Sequence, residues 1–226
     1  MITKIGHRGA MGYAPENTLN SFAKALDLGV DMVELDVYIS IDGELVVIHD
    51  DKVDRTTDGK GYVIEKTFSQ LRNLDAGNGQ KIPTLKEVFD LVDRKAEINI
   101  ELKGSNTAQS VSVLIEEYVK ERGWKYEDFL VSSFNHYELK KFHELIPEIR
   151  IGALITGIPV GFAEFAERVN AWSVNLCMEF INKEMVDDAH ARGMKVFVWT
   201  ANDSDDIEKM KLLGVDGIFS NFPDRL

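Results

Sequence analysis

Short apolar runs alternate with segments of helical periodicity along almost the whole chain. Runs of about four to eight apolar or β-branched residues between turn residues are typical of buried strands. Eight such runs occur, and a further one at residues 45–49 returns from the second as a hairpin arm. The eight predicted strands cover residues 2–6, 32–38, 98–102, 129–132, 150–154, 171–175, 195–199 and 217–219.

The segments between these strands carry the start and stop signals of helices. Leu19 and Phe22 begin an apolar stripe that ends at Gly29, and Asn17 is placed to be the N-cap of that helix. Residues 84–87, Thr-Leu-Lys-Glu, have the form of a capping box before another stripe. Strands and helices therefore alternate along the chain.

This alternation predicts a parallel sheet, either open and doubly wound or closed as a TIM (β/α)8 barrel. The barrel is favoured because the strands number eight and the 226 residues are enough to close one. The glycine-rich phosphate loops that open sheets often carry are missing from the sequence. We expect one α/β domain over residues 1–226. Residues 51–80, polar and rich in Gly and Asp, are expected to form a small insertion after the second-strand hairpin, over the active-site face.

Composition and charge narrow the function classes. A hydrophobic fraction of 44% supports a sizeable core, and a net charge of −12 argues against binding to nucleic acid or to an anionic membrane. The single cysteine, Cys177, excludes an intrachain disulfide. The longest uncharged apolar stretch, residues 151–163, is too short to span a bilayer, and we expect no signal peptide before His7. These features predict a cytoplasmic protein without stable membrane association, and they leave a homodimer open.

The second predicted strand carries two carboxylates, Glu34 and Asp36. Alternate residues of a strand point to the same side, so both carboxylates face one way. Asp42-Gly43 between two apolar runs is typical of a two-residue hairpin turn. Such a turn would place Asp36 directly opposite His49, and three polar groups would then share one patch. The simpler alternative is a half-exposed hairpin with a surface His–Asp pair.

Polar residues follow most of the predicted strands. In a TIM barrel the reacting groups lie at the carboxyl ends of the strands, so these residues are expected to converge on one mouth. The start of each strand shows far less of this chemistry. The residues are His7, Arg8, Glu34, Asp36, Glu101, Lys103, Ser132, Ser133, Asn175, Trp199 and Ser220.

The residue types indicate what such a site would bind. Three carboxylates without a nearby cysteine suit a hard divalent cation, Ca²⁺ or Mg²⁺, better than zinc. Two histidines can serve as an acid–base pair near neutral pH, and Arg and Lys can hold an anion. This set favours cleavage of a phosphodiester. The candidates are Glu34, Asp36 and Glu101 for the cation, His7 and His49 for proton transfer, and Arg8 and Lys103 for the anion.

Short motifs follow one another from His7 to nearly the C-terminus. They are His7-Arg8-Gly9, Ala14-Pro15-Glu16-Asn17-Thr18, Glu34-Leu35-Asp36-Val37, Asp42-Gly43, Val47-Ile48-His49-Asp50, Asp54-Arg55-Thr56-Thr57, Leu74-Asp75-Ala76-Gly77, Ile82-Pro83-Thr84-Leu85, Glu101-Leu102-Lys103, Val198-Trp199-Thr200 and Asp216-Gly217-Ile218. In this order they resemble the glycerophosphodiester phosphodiesterase family, in its bacterial, single-domain, cytoplasmic type. Each motif is weak alone, whereas the ordered set is specific.

The resemblance implies a TIM-barrel hydrolase of lipid and glycerol metabolism. It would split glycerophosphodiesters, such as glycerophosphocholine or glycerophosphoethanolamine, into sn-glycerol 3-phosphate and an alcohol. In the family scheme the substrate's own 2-hydroxyl attacks phosphorus, and water then opens the cyclic phosphate. The implied roles are Ca²⁺ or Mg²⁺ binding for Glu34, Asp36 and Glu101, acid–base catalysis for His7 and His49, phosphate contact for Arg8 and Lys103, and contact with the glycerol or alcohol for Trp199 and Phe134.

Several alternatives stay open from the sequence. A lysophospholipase D-like activity, or cleavage of another phosphodiester, fits the same barrel. A metal-dependent amidohydrolase would need a His-x-His pair on the first strand, where only His7 occurs. A catalytically silent barrel would show a gap in the polar set. Arg8 or Lys103 could also act only as a structural ion-pair partner of a nearby carboxylate.

Overall fold

The structure, a computed structural model, describes residues 2–226. Within that range the chain forms nine strands whose side chains are mostly buried. Their ends differ from the sequence predictions by at most two residues. The strands are β1 (Thr3–Gly6), β2 (Met32–Ile39), β3 (Leu45–Val47), β4 (Glu97–Leu102), β5 (Phe129–Ser133), β6 (Arg150–Ile155), β7 (Ser173–Cys177), β8 (Lys195–Trp199) and β9 (Gly217–Ser220).

Eight of these strands close into a parallel barrel. The neighbours run in the order β1-β9-β8-β7-β6-β5-β4-β2, and β1 pairs with β2 through Ile5 and Met32 to complete the ring. β3 pairs antiparallel with β2 outside the ring. Because β1 pairs with both β9 and β2, the sheet is closed. The TIM-barrel prediction is confirmed, and the open doubly wound alternative is wrong.

Helices connect the strands and cover the outside of the barrel, where their apolar faces bury the main core. Of the helices in residues 2–226, none is both long enough and apolar enough to cross a bilayer. The helices are α1 (Leu19–Asp27), α2 (Phe68–Asn73), α3 (Leu85–Val92), α4 (Thr107–Glu121), α5 (His136–Leu145), α6 (Glu164–Glu167), α7 (Lys183–Ala191) and α8 (Ser204–Leu213).

A second set of apolar side chains fills the inside of the barrel. It leaves the polar strand ends to form a cavity at the carboxyl side, as in other barrels of this type. The interior set is Ile5, Met32, Leu130, Phe197 and Phe219, with Trp172 and Trp199 packed against it.

The segment predicted as an insertion, residues 51–80, packs against the hairpin. It contains α2, whose N-terminus has a capping box formed by Thr67 and Gln70. Its apolar side chains build a small core with the face of the hairpin that carries Tyr38, so burial holds the segment in place. This core is made of Val46, Ile48, Val53, Val63, Leu71, Ala76 and Ile82.

The hairpin register differs from the prediction by one residue. Ser40 donates its backbone N–H to Glu44 O at 2.9 Å, so the loop has three residues and not two. Gly43, at φ 90°, occupies the left-handed position of such a loop, which only glycine adopts readily. Ile48 therefore lies opposite Asp36 and donates its N–H to the Asp36 carbonyl at 3.0 Å. The expectation that His49 faces Asp36 across the ladder is wrong.

Candidate active site

The carboxyl ends of the barrel strands surround one cavity, which is open to solvent. All nine residues predicted for the site lie in or beside it. Three other residues predicted at strand ends are buried outside its lining, namely Ser133, Asn175 and Ser220. The lining residues are His7, Arg8, Glu34, His49, Asn99, Glu101, Lys103, Ser132, Phe134, Leu154, Trp199 and Phe219.

Three carboxylates meet at the centre of the site. Glu34 and Asp36 are alternate residues of β2, and Asp36 pairs in register with Glu101 of β4. One oxygen from each of the three lies within 4.8 Å of the others. All three residues are buried, with at most 8% of any one exposed. The strand ends therefore bring together an all-oxygen cluster from two neighbouring strands.

Electrostatics show that this cluster fits a divalent cation. Burial, Asp36 and Glu101 raise the pKa of Glu34 well above its usual range. Burial and Asp36 likewise raise the pKa of Glu101 to about 7. Asp36 Oδ1 is buried without a hydrogen-bond partner among residues 2–226. Crowded carboxylates and an unpaired oxygen are the donor set that Ca²⁺ or Mg²⁺ takes, and a cation would relieve their repulsion.

One backbone donor and one side-chain donor orient two of these carboxylates. The backbone N–H of Arg8 donates to Glu34 Oε2 at 2.8 Å, and Arg8 adopts the left-handed region at φ 51°. Asn17 Nδ2 donates to Asp36 Oδ2 at 2.8 Å. Asn17 is therefore not the N-cap of α1. That position is occupied by Thr18, whose hydroxyl accepts the backbone N–H of Ser21.

His7 follows β1 and lines the cavity. Its Nδ1 lies 2.7 Å from Asn221 Oδ1, which accepts, so the hydrogen bond assigns the proton to Nδ1 and leaves Nε2 as an acceptor. Asn221 is itself fixed, because its backbone N–H donates to Asn202 Oδ1 at 2.8 Å. Burial and the neighbouring charge of Arg8 lower the pKa of His7 to about 4. The free ring is therefore neutral at pH 7.

His49 reaches the same cavity from the hairpin. Its Nδ1 donates to Asp50 Oδ1 at 2.5 Å, and Lys103 Nζ lies 3.2 Å from its Nε2. Hydrogen bonds from Arg55 and His49 hold the pKa of Asp50 well below its usual range. Asp50 is thus a carboxylate that fixes the orientation of the ring.

A chain of alternating charges links His49 to the other side of the cavity. Arg55, in the segment 51–80, donates from Nε to Asp50 Oδ2 at 2.7 Å. It also donates from its two terminal nitrogens to both oxygens of Glu16, at 2.7 and 2.8 Å. Glu16 Oε1 in turn accepts from Arg8 at 2.7 Å. One guanidinium therefore holds the partners of both His49 and Arg8.

The two cationic residues of the site also contact its carboxylates. Lys103 Nζ lies 3.0 Å from Glu101 Oε1 and 3.9 Å from Asp36 Oδ1. Arg8 Nε lies 3.5 Å from Asp36 Oδ2, and the charges of Asp36 and Glu16 raise the pKa of Arg8 despite its burial. Both residues make the ion pairs that the structural alternative required. Both also line the cavity, where an anion can reach them.

Two aromatic residues form the outer wall. The rings of Phe134 and Trp199 meet edge to face, with centroids 5.6 Å apart. Trp199 Nε1 donates to the Asn175 carbonyl at 3.1 Å, which fixes its orientation. Phe134 is 44% exposed, and Lys103 Nζ lies 5.8 Å from its ring centroid. This wall offers π-faces to whatever occupies the mouth.

Sequence reasoning did not assign roles to the residues that support the histidines. Glu16, Asp50 and Arg55 stand inside quoted motifs, so their motif membership was the available signal. Asn202 and Asn221 follow the last two barrel strands and had no local pattern to mark them. Only closure of the barrel brings them beside His7.

Comparison with known proteins agrees with this geometry. Residues 7–225 match the model of the glycerophosphoryl diester phosphodiesterase family. A glycerophosphodiester phosphodiesterase of Caldanaerobacter subterraneus is 39% identical over 98% of this chain and 95% of its own length. One from Bacillus altitudinis is 40% identical over 99% and 96%. The solved structure of an Oleispira antarctica phosphodiesterase, in complex with the product sn-glycerol-3-phosphate, superposes with a TM-score of 0.89 at 34% identity, covering 98% of this chain and 93% of the other.

Proposed function

Since this chain belongs to the glycerophosphoryl diester phosphodiesterase family, and so is an enzyme of that type, we propose its substrates, metal dependence and catalytic residues. Its substrates are glycerophosphodiesters such as glycerophosphocholine and glycerophosphoethanolamine, and its products are sn-glycerol 3-phosphate and an alcohol. The observation that carries this proposal is the meeting of three carboxylates, two histidines and two cationic side chains around one cavity. The product bound to the Oleispira relative supports it.

Glu34, Asp36 and Glu101 would hold Ca²⁺ or Mg²⁺. The fit rests on their shared position, on the raised pKa values of Glu34 and Glu101, and on the unpaired Asp36 Oδ1 within residues 2–226. When bound, such a cation supplies Lewis acidity that stabilises negative charge on the phosphoryl oxygens. Arg8 and Lys103 would contact the same oxygens, so the phosphodiester would be held between them and the carboxylate cluster.

The two histidines would move the protons. In the first step one imidazole takes the proton of the substrate's 2-hydroxyl, whose oxygen forms a bond to phosphorus. The bond from phosphorus to the alcohol oxygen breaks, and the other imidazole gives that oxygen a proton. In the second step the roles reverse, and a water molecule opens the cyclic phosphate. An intramolecular nucleophile needs only a positioned base and a clamp on the phosphate, which the two rings and the two cations provide.

The surroundings suit a pair of rings that work together. His7 is backed by the neutral amide of Asn221, and burial and Arg8 keep its ring unprotonated at neutral pH. His49 is backed by the carboxylate of Asp50, and Lys103 Nζ lies 3.2 Å from its Nε2. The two rings therefore stand in different surroundings, which suits a division of the work between an acid and a base.

The test is release of sn-glycerol 3-phosphate from a panel of glycerophosphodiesters, with Ca²⁺, with Mg²⁺ and with EDTA. We expect turnover that needs the metal and that Glu34→Gln lowers by at least about a hundredfold. Glu97→Gln is the matched control, because Glu97 begins the same β4 at the opposite end of the barrel and pairs with Arg150. Full turnover in EDTA, or equal loss in both variants, would contradict the proposal.

A further inference from the structure

At the floor of the cavity lie two polar side chains, each with an oxygen atom that has no hydrogen-bond partner among residues 2–226. Asn99 and Ser132 line the cavity and are buried, with 1% and 0% of each residue exposed. In the described range 2–226, Asn99 Oδ1 and Ser132 Oγ have no hydrogen-bond partner. Buried polar atoms are almost always paired, so two unpaired ones facing a cavity indicate a ligand group that pairs with them.

Both residues lie against the carboxylate cluster. Asn99 and Glu101 are alternate residues of β4 and therefore point to the same side. Ser132 of β5 is the register partner of Glu101. Neighbouring strands are about 4.8 Å apart, so a group bound at this floor lies within a three-carbon chain of the carboxylate cluster.

The chemistry of the floor suits a neutral hydroxyl. An amide oxygen accepts a hydrogen bond and a serine hydroxyl can donate one, which together satisfy one alcohol group. Leu154 and Phe219 complete the floor, and the apolar barrel interior lies beneath it. A cationic headgroup would lose its hydration there, and the carboxylates beside the floor are the ones proposed to hold the metal ion. The aromatic wall of Phe134 and Trp199, at the mouth, offers a cationic headgroup a better place.

We infer that Asn99 and Ser132 form a subsite for the terminal hydroxyl of the substrate's glycerol, so that glycerol enters the barrel first and the headgroup stays at the mouth. This inference rests on the proposed function and adds to it a reason for the enzyme's choice between substrates. In a lysophospholipid the terminal hydroxyl is esterified to a fatty acyl chain. The packed interior below the floor has no space for that chain, so the subsite selects deacylated substrates.

The first test compares the binding of two probes by calorimetry in the presence of Ca²⁺ or Mg²⁺. One is sn-glycerol 3-phosphate, and the other is propane-1,2-diol 1-phosphate of the same configuration, which lacks only the terminal hydroxyl. We expect wild type to bind the first at least about tenfold more tightly. Equal binding of the two probes by wild type would overturn the inference without any variant.

The second test asks whether the floor causes this difference. In Ser132→Ala and Asn99→Leu we expect the ratio of the two dissociation constants to shrink at least about threefold, because the terminal hydroxyl then loses a partner. Ser173→Ala is the matched control, since Ser173 is a buried serine of the same barrel whose hydroxyl bonds Asn175 outside the cavity lining. In Ser173→Ala the ratio of the two dissociation constants should equal that of wild type. An unchanged ratio in folded floor variants would overturn the inference.

A third measurement separates the inference from the proposed function. Wild type should turn over glycerophosphocholine at least about a hundredfold better, by kcat/KM, than 1-acyl lysophosphatidylcholine. Comparable kcat/KM on both would overturn the subsite while leaving a phosphodiesterase in place. The proposed function alone would be overturned if no diester released glycerol 3-phosphate while wild type still bound sn-glycerol 3-phosphate more tightly than propane-1,2-diol 1-phosphate.

Discussion

At the residue scale, each carboxylate of the cluster depends on a neighbour that fixes its direction. Asp36 is held by Asn17, and Glu34 by the backbone of Arg8. Such outer contacts matter for a metal site because they orient ligand oxygens before the ion arrives. Removing one of them should weaken the site without deleting a ligand.

Asn17→Ala should lower the affinity for Ca²⁺ or Mg²⁺ about ten- to a hundredfold, since Asp36 loses the donor that aims it. Titration calorimetry with each ion measures the effect. Thr18→Ala is the control, because Thr18 caps the adjacent helix α1 and does not touch the cluster. It should cost about 1 kcal/mol of stability and leave the ion affinity unchanged. Equal affinity in Asn17→Ala and wild type would contradict the role of Asn17.

The proposed acid–base pair can be tested with two leaving groups. Glycerophosphocholine releases an alcohol that needs a proton, whereas the glycerol phosphodiester of 4-nitrophenol releases an anion that needs none. We expect one of His7→Ala and His49→Ala to regain at least about tenfold of its lost kcat on the nitrophenyl ester. The other should stay equally impaired on both substrates. If both variants lose the same factor on both esters, the rings do not share the protons.

The grouping of the carboxylates could be predicted because strand periodicity is a local rule. Glu34 and Asp36 are two residues apart, and Glu101 and Lys103 repeat that spacing on another strand. The partner of His7 could not be predicted in the same way. Asn221 is 214 positions from His7 in the sequence. A contact of that kind depends on closure of the whole barrel.

At the scale of elements, the guanidinium of Arg55 connects residues 51–80 to the charged residues around the site. Arg55 binds Asp50 and Glu16, the residues that hold His49 and Arg8. The remaining contacts of the segment with the hairpin are mainly apolar. The segment therefore has one part that holds it in place and another that orders the partners of His49 and Arg8.

Arg55→Lys should lower kcat about tenfold or more and change KM little. A lysine keeps the charge but cannot hold two carboxylates with a rigid planar fork. Steady-state kinetics on glycerophosphocholine measure both constants. Asp54→Asn is the control in the same segment, because Asp54 accepts the backbone N–H of Gly61 and does not contact Asp50. A change in KM alone for Arg55→Lys would show that Arg55 serves binding instead.

Elements were easier to predict than the connections between them. Each strand shows its own apolar run, and the capping box that begins α3 at Thr84 is present as predicted. The turn of the hairpin was predicted with the wrong number of residues. Asp42-Gly43 suits a two-residue turn, but Ser40 closes the loop by accepting the Glu44 N–H and by bonding Asp42. No pattern in the sequence indicates that the Ser40 hydroxyl makes these two hydrogen bonds.

At the scale of the whole molecule, chemistry and stability lie at opposite ends of the barrel. Asp216 precedes β9 at the amino side of the strands, where Lys195 Nζ and His190 Nε2 each lie 2.8 Å from it. The Val196 N–H also donates to it, at 2.9 Å. Such contacts at the amino face of a TIM barrel serve stability.

Asp216→Asn should therefore destabilise the protein and leave catalysis intact. Burial would raise the pKa of Asp216, but the bonds from Lys195, Val196 and His190 lower it below its ordinary 3.8. The stabilisation is then complete above that value and is lost as the pH falls through the lowered pKa. Unfolding at pH 7 should cost about 1–3 kcal/mol less in the variant.

Thermal unfolding between pH 7 and pH 3 checks this sign. The difference between wild type and Asp216→Asn should be constant from neutral pH down to about 5 and should shrink in stronger acid. Turnover of glycerophosphocholine at 25 °C should be the same for both proteins. A difference that grows as the pH falls would contradict the lowered pKa.

The number of residues in the three-residue loop between β2 and β3 determines which way the side chains after it face, up to the ring of His49. Adjacent residues of an extended chain face opposite ways, so deleting one of residues 41–43 would send the side chains after it to the other face. Val46 and Ile48 would then turn away from the small core that holds residues 51–80, and His49 would lose its present position, although every amino acid of the site would remain. We therefore expect laboratory libraries to tolerate changes of the residues in this loop better than changes of their number.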